Sequence, residues 1–255
     1  MTDNPVTITV LRGIPQVDPG DDLAGVLISA LERAGRPLRK GDILVVTQKV
    51  VSKAEDRYLD LDTLTPSSRA RELADITGKE PHLVEAVLSQ SAEVLRAKPN
   101  VLIVETRTGL VMANAGIDQS NVSRGPGRRV LLLPDDADRS ARVIKDRLDA
   151  HFGGDLGVII SDSCGRAWRL GVVGLAIGAA GVPSLIDRRG EWDLSGRPLE
   201  VTEVGFGDAV AAAAVLVMGE AAEGTPAVLV RGLTWSAPPL PAAALRRPKA
   251  LDMFR

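Results

Sequence analysis

One short stretch of the sequence concentrates side chains that could do chemistry. Asp162 and Ser163 directly follow an apolar run at 158–161, Gly165 permits a turn, and Arg166 comes next. Carboxylate and hydroxyl oxygens ligate hard divalent cations, and a guanidinium can hold a phosphate or carboxylate through two parallel hydrogen bonds. The stretch therefore predicts a metal and phosphate site at the end of a buried strand. The alternative is a strand that ends in a solvated basic loop, because short motifs often occur by chance.

Two other segments repeat this arrangement of polar side chains after an apolar run. Lys49 and Lys53 follow the run at 43–47, and their spacing of four places them on one face of a helix. Ammonium groups so placed can hold a polyphosphate, although an exposed helix start would look the same. Asp118 follows a third predicted strand, with Asn121 close behind. Together these residues predict a metal-dependent enzyme that handles a phosphate-bearing substrate.

The standard alternatives fit the sequence less well. It contains neither a Gly-x4-Gly-Lys-Ser/Thr loop nor a Gly-x-Gly-x-x-Gly turn after a strand, and it has no Gly-x-Ser-x-Gly elbow. Cys164 is the only cysteine, and neither histidine is near it in sequence, so we interpret it as a small buried hydrophobe. A single cysteine also excludes an intramolecular disulfide and fits a reducing compartment.

The elements that must position these residues mix strands and helices. Apolar alternation predicts a hairpin between 101–105 and 109–114, and an amphipathic pattern predicts a helix over 81–95. We expect an α+β fold with mixed, largely antiparallel sheets and packed helices. Glycines between 171 and 181 predict close packing. We expect one domain over 1–236 and a Pro-rich tail or linker over 237–255.

Bulk properties narrow the classes of function. The 255 residues carry a net charge of -2 and only 3% aromatic residues, so neither a basic field nor stacking platforms favour nucleic-acid binding. The first residues lack a signal-peptide pattern, and the apolar run near 209–218 is too short to span a bilayer. We expect a cytoplasmic protein without membrane or nucleic-acid partners.

Four motifs in the same order resemble a known family. They are Gly13-Ile14-Pro15, Thr47-Gln48-Lys49-Val50-Val51-Ser52-Lys53-Ala54-Glu55, Asn114-Ala115-Gly116-Ile117-Asp118-Gln119-Ser120-Asn121, and the segment from Ser161 to Arg169. Nearly the whole chain is thereby similar to the coenzyme F420-0:L-glutamate ligases, and co-linear motifs are far more specific than any one alone. The resemblance implies an F420 ligase-like fold.

The resemblance also implies an activity and its partners. Such an enzyme would use GTP as co-substrate to join L-glutamate to coenzyme F420-0 through an acyl phosphate, and then add γ-linked glutamates. It would need Mg²⁺ or Mn²⁺, with two ions expected. Whether it also needs a monovalent cation such as K⁺ is left open. A homodimer is expected by analogy. The alternatives are a related ligase for another phosphate-bearing acid and a nucleotide-binding regulatory module without turnover.

Carried over by position, the resemblance assigns roles to residues of this chain. The metal ligands would be Asp118, Asp162 and Ser163, with Glu203 as a weaker candidate, and Asp162 would also be catalytic. We add Arg166 as a clamp for phosphate or carboxylate. Relatives often carry Thr at the position of Ser163, and actinobacterial relatives continue into a reductase domain, so this chain is either a separate ligase or one half of a fusion. The nucleotide would contact Ile14, Pro15, Gln16, Val17, Gln48, Lys49, Lys53 and Asn121.

Overall fold

The computed structural model describes residues 5–122 and 127–254. It confirms the α+β class, with a mixed five-stranded sheet at its centre in the order β1-β12-β2-β8-β9. The parallel pair is β2 with β8, and the other neighbours in this sheet are antiparallel. The strands are β1 Thr7–Val10, β2 Ile43–Thr47, β3 Tyr58–Asp60, β4 Ser91–Lys98, β5 Val101–Thr106, β6 Val111–Ala113, β7 Arg129–Leu131, β8 Gly157–Arg166, β9 Arg169–Ala180, β10 Ile186–Asp187, β11 Glu203–Val204 and β12 Ala227–Arg231.

Helices cover both faces of the central sheet. Side chains of β8 alternate between the two faces, so that Ile160 packs with α1 and α5 while Ile159 packs with α6. Two glycines of β9 allow close contact on these faces: a Cβ on Gly178 would lie 2.2 Å from the carbonyl oxygen of Ala137, and one on Gly174 would lie 2.5 Å from that of Ala211. The helices are α1 Leu23–Arg33, α2 Gln48–Ala54, α3 Ser68–Thr77, α4 Pro81–Ser89, α5 Ala137–Phe152 and α6 Phe206–Met218.

A second hydrophobic core lies in the small lobe, which we define as residues 58–132. Helices α3 and α4 pack there against the sheet β4-β5-β6 and the pair β3-β7. The predicted hairpin is confirmed, with Val104 opposite Met112. The helix predicted over 81–95 is wrong after Ser89, where α4 ends, because β4 begins at Ser91. The apolar spacing of this segment suits a helix, but pairing with β5 satisfies its backbone as a strand.

The strand that carries Asp162 is longer than predicted. The sequence suggests an end near Ser161, whereas β8 continues to Arg166 and turns at Ala167 and Trp168 into β9. The polar residues after Ser161 stay in the strand because β9 forms backbone hydrogen bonds along one edge of β8, with Asp162 opposite Leu175. The register shifts between Ile160 and Ser161, so the β-bulge directly precedes the carboxylate. Bulges change the direction of the following side chains and are frequent beside active sites.

The C-terminal residues pack on this core. The Asp138 side chain is 7% exposed and accepts hydrogen bonds from the backbone N–H groups of Ala179, Ala242 and Ala243, at 2.8, 2.7 and 3.1 Å. Residues 242–245 and 249–251 form two short 3-10 helices. The boundary that we predict at 236 stays a prediction as a domain limit. The Asp138 carboxylate nevertheless joins the segment after residue 236 to α5 and β9.

We expect Asp138→Ala to lower the free energy of unfolding by about 3 kcal/mol. Hydrogen bonds to a charged acceptor contribute about 1.5–3 kcal/mol each, and part of this is recovered when the released N–H groups reach water. Urea unfolding would measure the change. The matched control is Asp146→Ala, which removes an exposed carboxylate from the same helix. Equal urea midpoints for the two variants would contradict the anchoring role of Asp138.

Candidate active site

A cavity of about 660 Å³ lies where the parallel strands β2 and β8 run side by side. Strand β2 ends at Thr47, opposite Ser161, and α2 begins at the next residue, whereas β8 continues past this edge with Asp162. The carboxyl edge of parallel strands is a common place for ligand sites. The sequence therefore places the first turn of α2 beside the Asp162 carboxylate.

Most of the residues that the sequence predicts for the site line this one cavity. The segment Ile14 to Val17 forms one wall, α2 contributes a second, and Asp162 with Ser163 lies on a third. The loop Gly219 to Pro226, which joins α6 to β12, closes the cavity. The predicted members that line it are Ile14, Pro15, Gln16, Val17, Gln48, Lys49, Lys53, Asp118, Asn121, Asp162 and Ser163.

Asp118 is held by two residues of α2. Gln48 donates a hydrogen bond from Nε2 to one Asp118 carboxylate oxygen, and Lys49 forms an ion pair with the other. Gln48 is itself buried, and its Oε1 accepts a hydrogen bond of 3.0 Å from Ser52. The Asp118 carboxylate is thus oriented by two side chains of α2, one of which is itself held by a buried hydrogen bond.

Backbone strain precedes Asp118. Asn114, Ala115 and Gly116 take φ values of 51°, 55° and 70°, and the first two are not glycines. Left-handed conformations cost about 1–3 kcal/mol each at such residues and cluster at functional sites. Gly116 is required here because a Cβ would lie 2.8 Å from a methyl carbon of Leu133. This turn brings Asp118 back to the cavity.

Asp162 lies close enough to Asp118 for the two carboxylates to repel. Burial, and secondly the charge of Asp118, raise the pKa of Asp162 to about 7. Its Oδ1 accepts a hydrogen bond of 2.9 Å from the backbone N–H of Ser163. Burial, and secondly the charge of Asp162, raise the pKa of the Cys164 thiol, so the cysteine is protonated and a poor nucleophile.

A third acidic side chain, Glu220, was not predicted from the sequence. Its Oε1 accepts a hydrogen bond of 2.6 Å from Ser163 Oγ, 57 positions away. Asn121, whose φ is 57°, donates from Nδ2 to the carbonyl oxygen of Ala221 at 3.1 Å and joins the same loop. The signal in the sequence is an acidic segment flanked by glycines, Gly219 to Gly224, between α6 and β12.

The cavity also contains a lysine without a carboxylate partner. Among the described residues, Lys53 forms no ion pair, in contrast to Lys49. Burial, together with the charge of Lys49, lowers the pKa of its ammonium group. Lys53 is thus a desolvated cation that a phosphate could neutralise.

The oxygen atoms around the cavity fit hard divalent cations such as Mg²⁺ and Mn²⁺. Asp118, Asp162 and Ser163 offer oxygen atoms, and a cation between the two carboxylates would relieve the repulsion that raises the pKa of Asp162. Within residues 5–122 and 127–254 no group of three His, Cys, Asp or Glu side chains is arranged to hold a metal ion. Carboxylate and hydroxyl oxygens are the donors that Mg²⁺ and Mn²⁺ take, and Mg²⁺ is usually held by one or two carboxylates together with waters and substrate phosphates.

Two predicted site residues lie outside this cavity. Arg166 is at the tip of the β8-β9 hairpin, where its Nη1 donates to the carbonyl oxygen of Gly171 at 3.2 Å. The extension of β8 explains this position, because it carries Arg166 four residues beyond Asp162. Glu203 lies opposite Asp187 in the pair β10-β11, 3.5 Å from Arg189. Their roles stay predictions, without support from the geometry of this chain.

Comparisons with known proteins agree with the motifs. The family model described as F420-0:Gamma-glutamyl ligase matches residues 13–232. A protein of Methanothermobacter thermautotrophicus named Coenzyme F420:L-glutamate ligase is 46% identical over 252 residues, 98% of this chain and 99% of the relative. Proteins of the same name from Methanopyrus kandleri and Archaeoglobus fulgidus are 48% and 45% identical, and the matches cover 94% and 89% of this chain and 94% and 88% of the relatives.

Proposed function

The chain belongs to the F420-0:gamma-glutamyl ligase family, and from that premise we propose that it joins L-glutamate to coenzyme F420-0 with GTP as co-substrate. The observation that carries the proposal is the convergence of Asp118, Asp162 and Lys53 on one cavity of about 660 Å³. Two carboxylates and an ammonium group that forms no ion pair with any described residue are suitable for a metal-bound triphosphate.

The reaction that we propose has two steps. In the first, the carboxylate of F420-0 attacks the γ-phosphorus of GTP, and GDP leaves as an acyl phosphate forms. In the second, the amine of glutamate attacks the acyl carbon, inorganic phosphate leaves, and the nitrogen releases its proton as the amide forms. Activation is needed because a carboxylate oxygen is a poor leaving group, whereas phosphate is a good one.

The side chains of the cavity would share the work of stabilising charge. Lys53 and Lys49 would offset the negative charge of the phosphates, and Gln48 would keep the Asp118 carboxylate oriented. Asp118, Asp162 and Ser163 would hold divalent cations, which supply electrostatic stabilisation of the transferring phosphoryl group when bound. The segment Ile14 to Val17, which also lines the cavity, would contact the nucleotide.

A single incubation separates this proposal from its alternatives. The chain is mixed with GTP, MnCl2, F420-0 and L-glutamate, and the products are weighed by mass spectrometry. A glutamylated F420 together with GDP supports the proposal. Nucleotide binding without any amide product would indicate a regulatory module instead. If another phosphate-bearing acid is glutamylated and F420-0 is not, the chain is a related ligase.

The hydroxyl of Ser163 gives a prediction with a matched control. We expect Ser163→Ala to lower turnover about 10- to 100-fold and to raise the Mn²⁺ concentration needed for half-maximal rate, because it removes one oxygen ligand. Ser163→Thr keeps the hydroxyl and should retain turnover within about threefold. Initial rates measured across a range of MnCl2 test both variants. Equal losses in the two would show that packing, and not the hydroxyl, matters at this position.

We also propose that the chain forms a homodimer. Large apolar side chains are exposed at Trp168, Leu170 and Leu194, with Leu170 fully accessible at the tip of the β8-β9 hairpin. Large apolar side chains exposed in this way are typical of surfaces that a partner covers. Light scattering should give twice the chain mass of 26.9 kDa. Leu170→Asp should shift the protein towards the single mass, whereas Val143→Asp, at an exposed position of α5, should not. A wild-type protein of single mass would contradict the proposal.

The structure contains no span suited to a bilayer: within the described part of the chain, no helix combines the length and the apolar character that a crossing requires.

A further inference from the structure

A second polar cavity lies away from the site described above. It has a volume of about 450 Å³ and shares no lining residue with the larger cavity. Three parts of the chain form it: the turn between β5 and β6, the start of α5, and the C-terminal segment near residue 243. We call it the arginine cavity, because Arg107, Arg142 and Arg246 line it, one from each part.

The three aspartates in the wall of the arginine cavity are already engaged. Asp135 is held by both terminal nitrogens of Arg57, at 2.9 and 2.7 Å, and Asp136 caps α5 by accepting from the backbone N–H of Arg139. Asp138 accepts its three backbone hydrogen bonds. Asp135 is thus paired with an arginine from outside the cavity, whereas backbone N–H groups orient the carboxylates of Asp136 and Asp138.

The arginines, in contrast, lack strong partners. Within the described residues, neither Arg107 nor Arg246 forms an ion pair, and Arg142 reaches Asp136 only at 4.0 Å. The Nε atom of Arg246 is buried and donates to no acceptor in the described part of the chain. A buried donor without an acceptor costs about 1–3 kcal/mol, and more when it is charged. An acceptor from a bound molecule would remove that cost.

Packing keeps the Arg246 side chain in place. A Cβ on Gly109 would lie 3.4 Å from Arg246 Cδ and 3.9 Å from its Nη1, so the side chain lies directly over the β5-β6 turn that carries Arg107. The segment before Arg246 is fixed by Asp138 through Ala242 and Ala243. Two arginines from sequence positions 139 residues apart are thereby held at one cavity.

We propose that the arginine cavity binds a small organic oxyanion with at least two negative charges on carboxylate or phosphate groups. Guanidinium groups match the geometry of both groups through paired hydrogen bonds. The apolar wall formed by Leu133, Ile177 and Pro241 fits a short carbon skeleton between the charged groups. This inference does not depend on the reaction proposed for the larger cavity.

Calorimetric titration of the full chain, without divalent metal, tests the proposal. The probes are citrate, glycerol 3-phosphate and inorganic phosphate, which separate carboxylate from phosphate and test whether carbon is needed. We expect at least one organic probe to bind, and at least tenfold weaker binding in both Arg246→Gln and Arg107→Gln. Lys53→Ala should bind the probe as the wild type does, because Lys53 belongs to the other cavity.

Comparing the two arginine variants separates a loss of binding from a loss of structure. Arg246→Gln could loosen the C-terminal segment, but Arg107 is an exposed residue of a different element and has no ion pair among the described residues. Urea midpoints unchanged from the wild type would confirm that Arg107→Gln is folded. The proposal is overturned if no organic probe binds, if both arginine variants bind like the wild type, or if only Lys53→Ala loses binding.

Discussion

Asp162→Asn is expected to lower glutamate ligation at least about a thousandfold, which corresponds to about 4 kcal/mol of transition-state stabilisation. The substitution keeps the size of the side chain but removes the negative charge. A neutral amide beside Asp118 cannot hold a divalent cation as two carboxylates can, and the developing charge on the phosphoryl group then lacks its counter-charge. The backbone N–H of Ser163 still finds an acceptor in the amide oxygen, so local structure should survive.

The experiment compares initial rates of GDP release and amide formation at saturating GTP and MnCl2. Asp146→Asn is the matched control, because it neutralises an exposed carboxylate of α5 that does not line the cavity. Urea unfolding verifies that both variants are folded. Because burial and Asp118 raise the pKa of Asp162 to about 7, neutralising it should not destabilise the metal-free protein. Turnover within tenfold of wild type would remove Asp162 from the catalytic group.

Lys53→Ala should lower kcat/KM for GTP about a hundredfold or more. Lys53 is the cavity's desolvated ammonium group without an ion pair among the described residues, whereas Lys49 is already paired with Asp118. A charge-assisted hydrogen bond to phosphate contributes about 1.5–3 kcal/mol, and electrostatic stabilisation of the transferring group adds to this. We therefore expect losses in both KM for GTP and kcat.

The charge and shape of this lysine can be separated. Lys53→Arg retains the positive charge on a longer, planar group and should recover part of the lost rate, since it can still offset the charge of the phosphates. Lys40→Ala removes a surface lysine that pairs with Asp155 and should leave kinetics unchanged. If Lys53→Ala loses no more than Lys40→Ala, the nucleotide does not use this ammonium group.

Much of the site could be predicted because it is local in sequence. Apolar runs mark β2 and β8, and the polar residues directly after β2 fall in α2, where a spacing of four puts Lys49 and Lys53 on one face. Neighbouring parallel strands reach the same edge of the sheet, so the residues that follow Thr47 in β2 and Ser161 in β8 lie close together. The place of Asp118 after a predicted strand and the order of the motifs both indicated it, but no local pattern showed the three consecutive left-handed residues that turn the chain into the cavity.

What sequence reasoning missed depends on contacts between distant segments. The extension of β8 to Arg166 is stabilised by pairing with β9, which apolar periodicity does not reveal. That extension separates Arg166 from Asp162. The contact of Glu220 with Ser163 joins positions 57 apart through the fold of α6, and no local pattern encodes it. Strand β4 was missed for the same reason, because pairing with β5 outweighed its helical spacing.

The position of β12 in the central sheet has a consequence for biosynthesis on the ribosome. The strand lies between β1 and β2, so these two N-terminal strands have no lateral connection until residues 227–231 have been translated. The small lobe, built from contiguous residues, can form earlier. During elongation, the edge of β2 that later pairs with β12 therefore stays open, and nascent chains with such edges are prone to associate before release. Completion of the central sheet is thus one of the last events in the folding of the polypeptide.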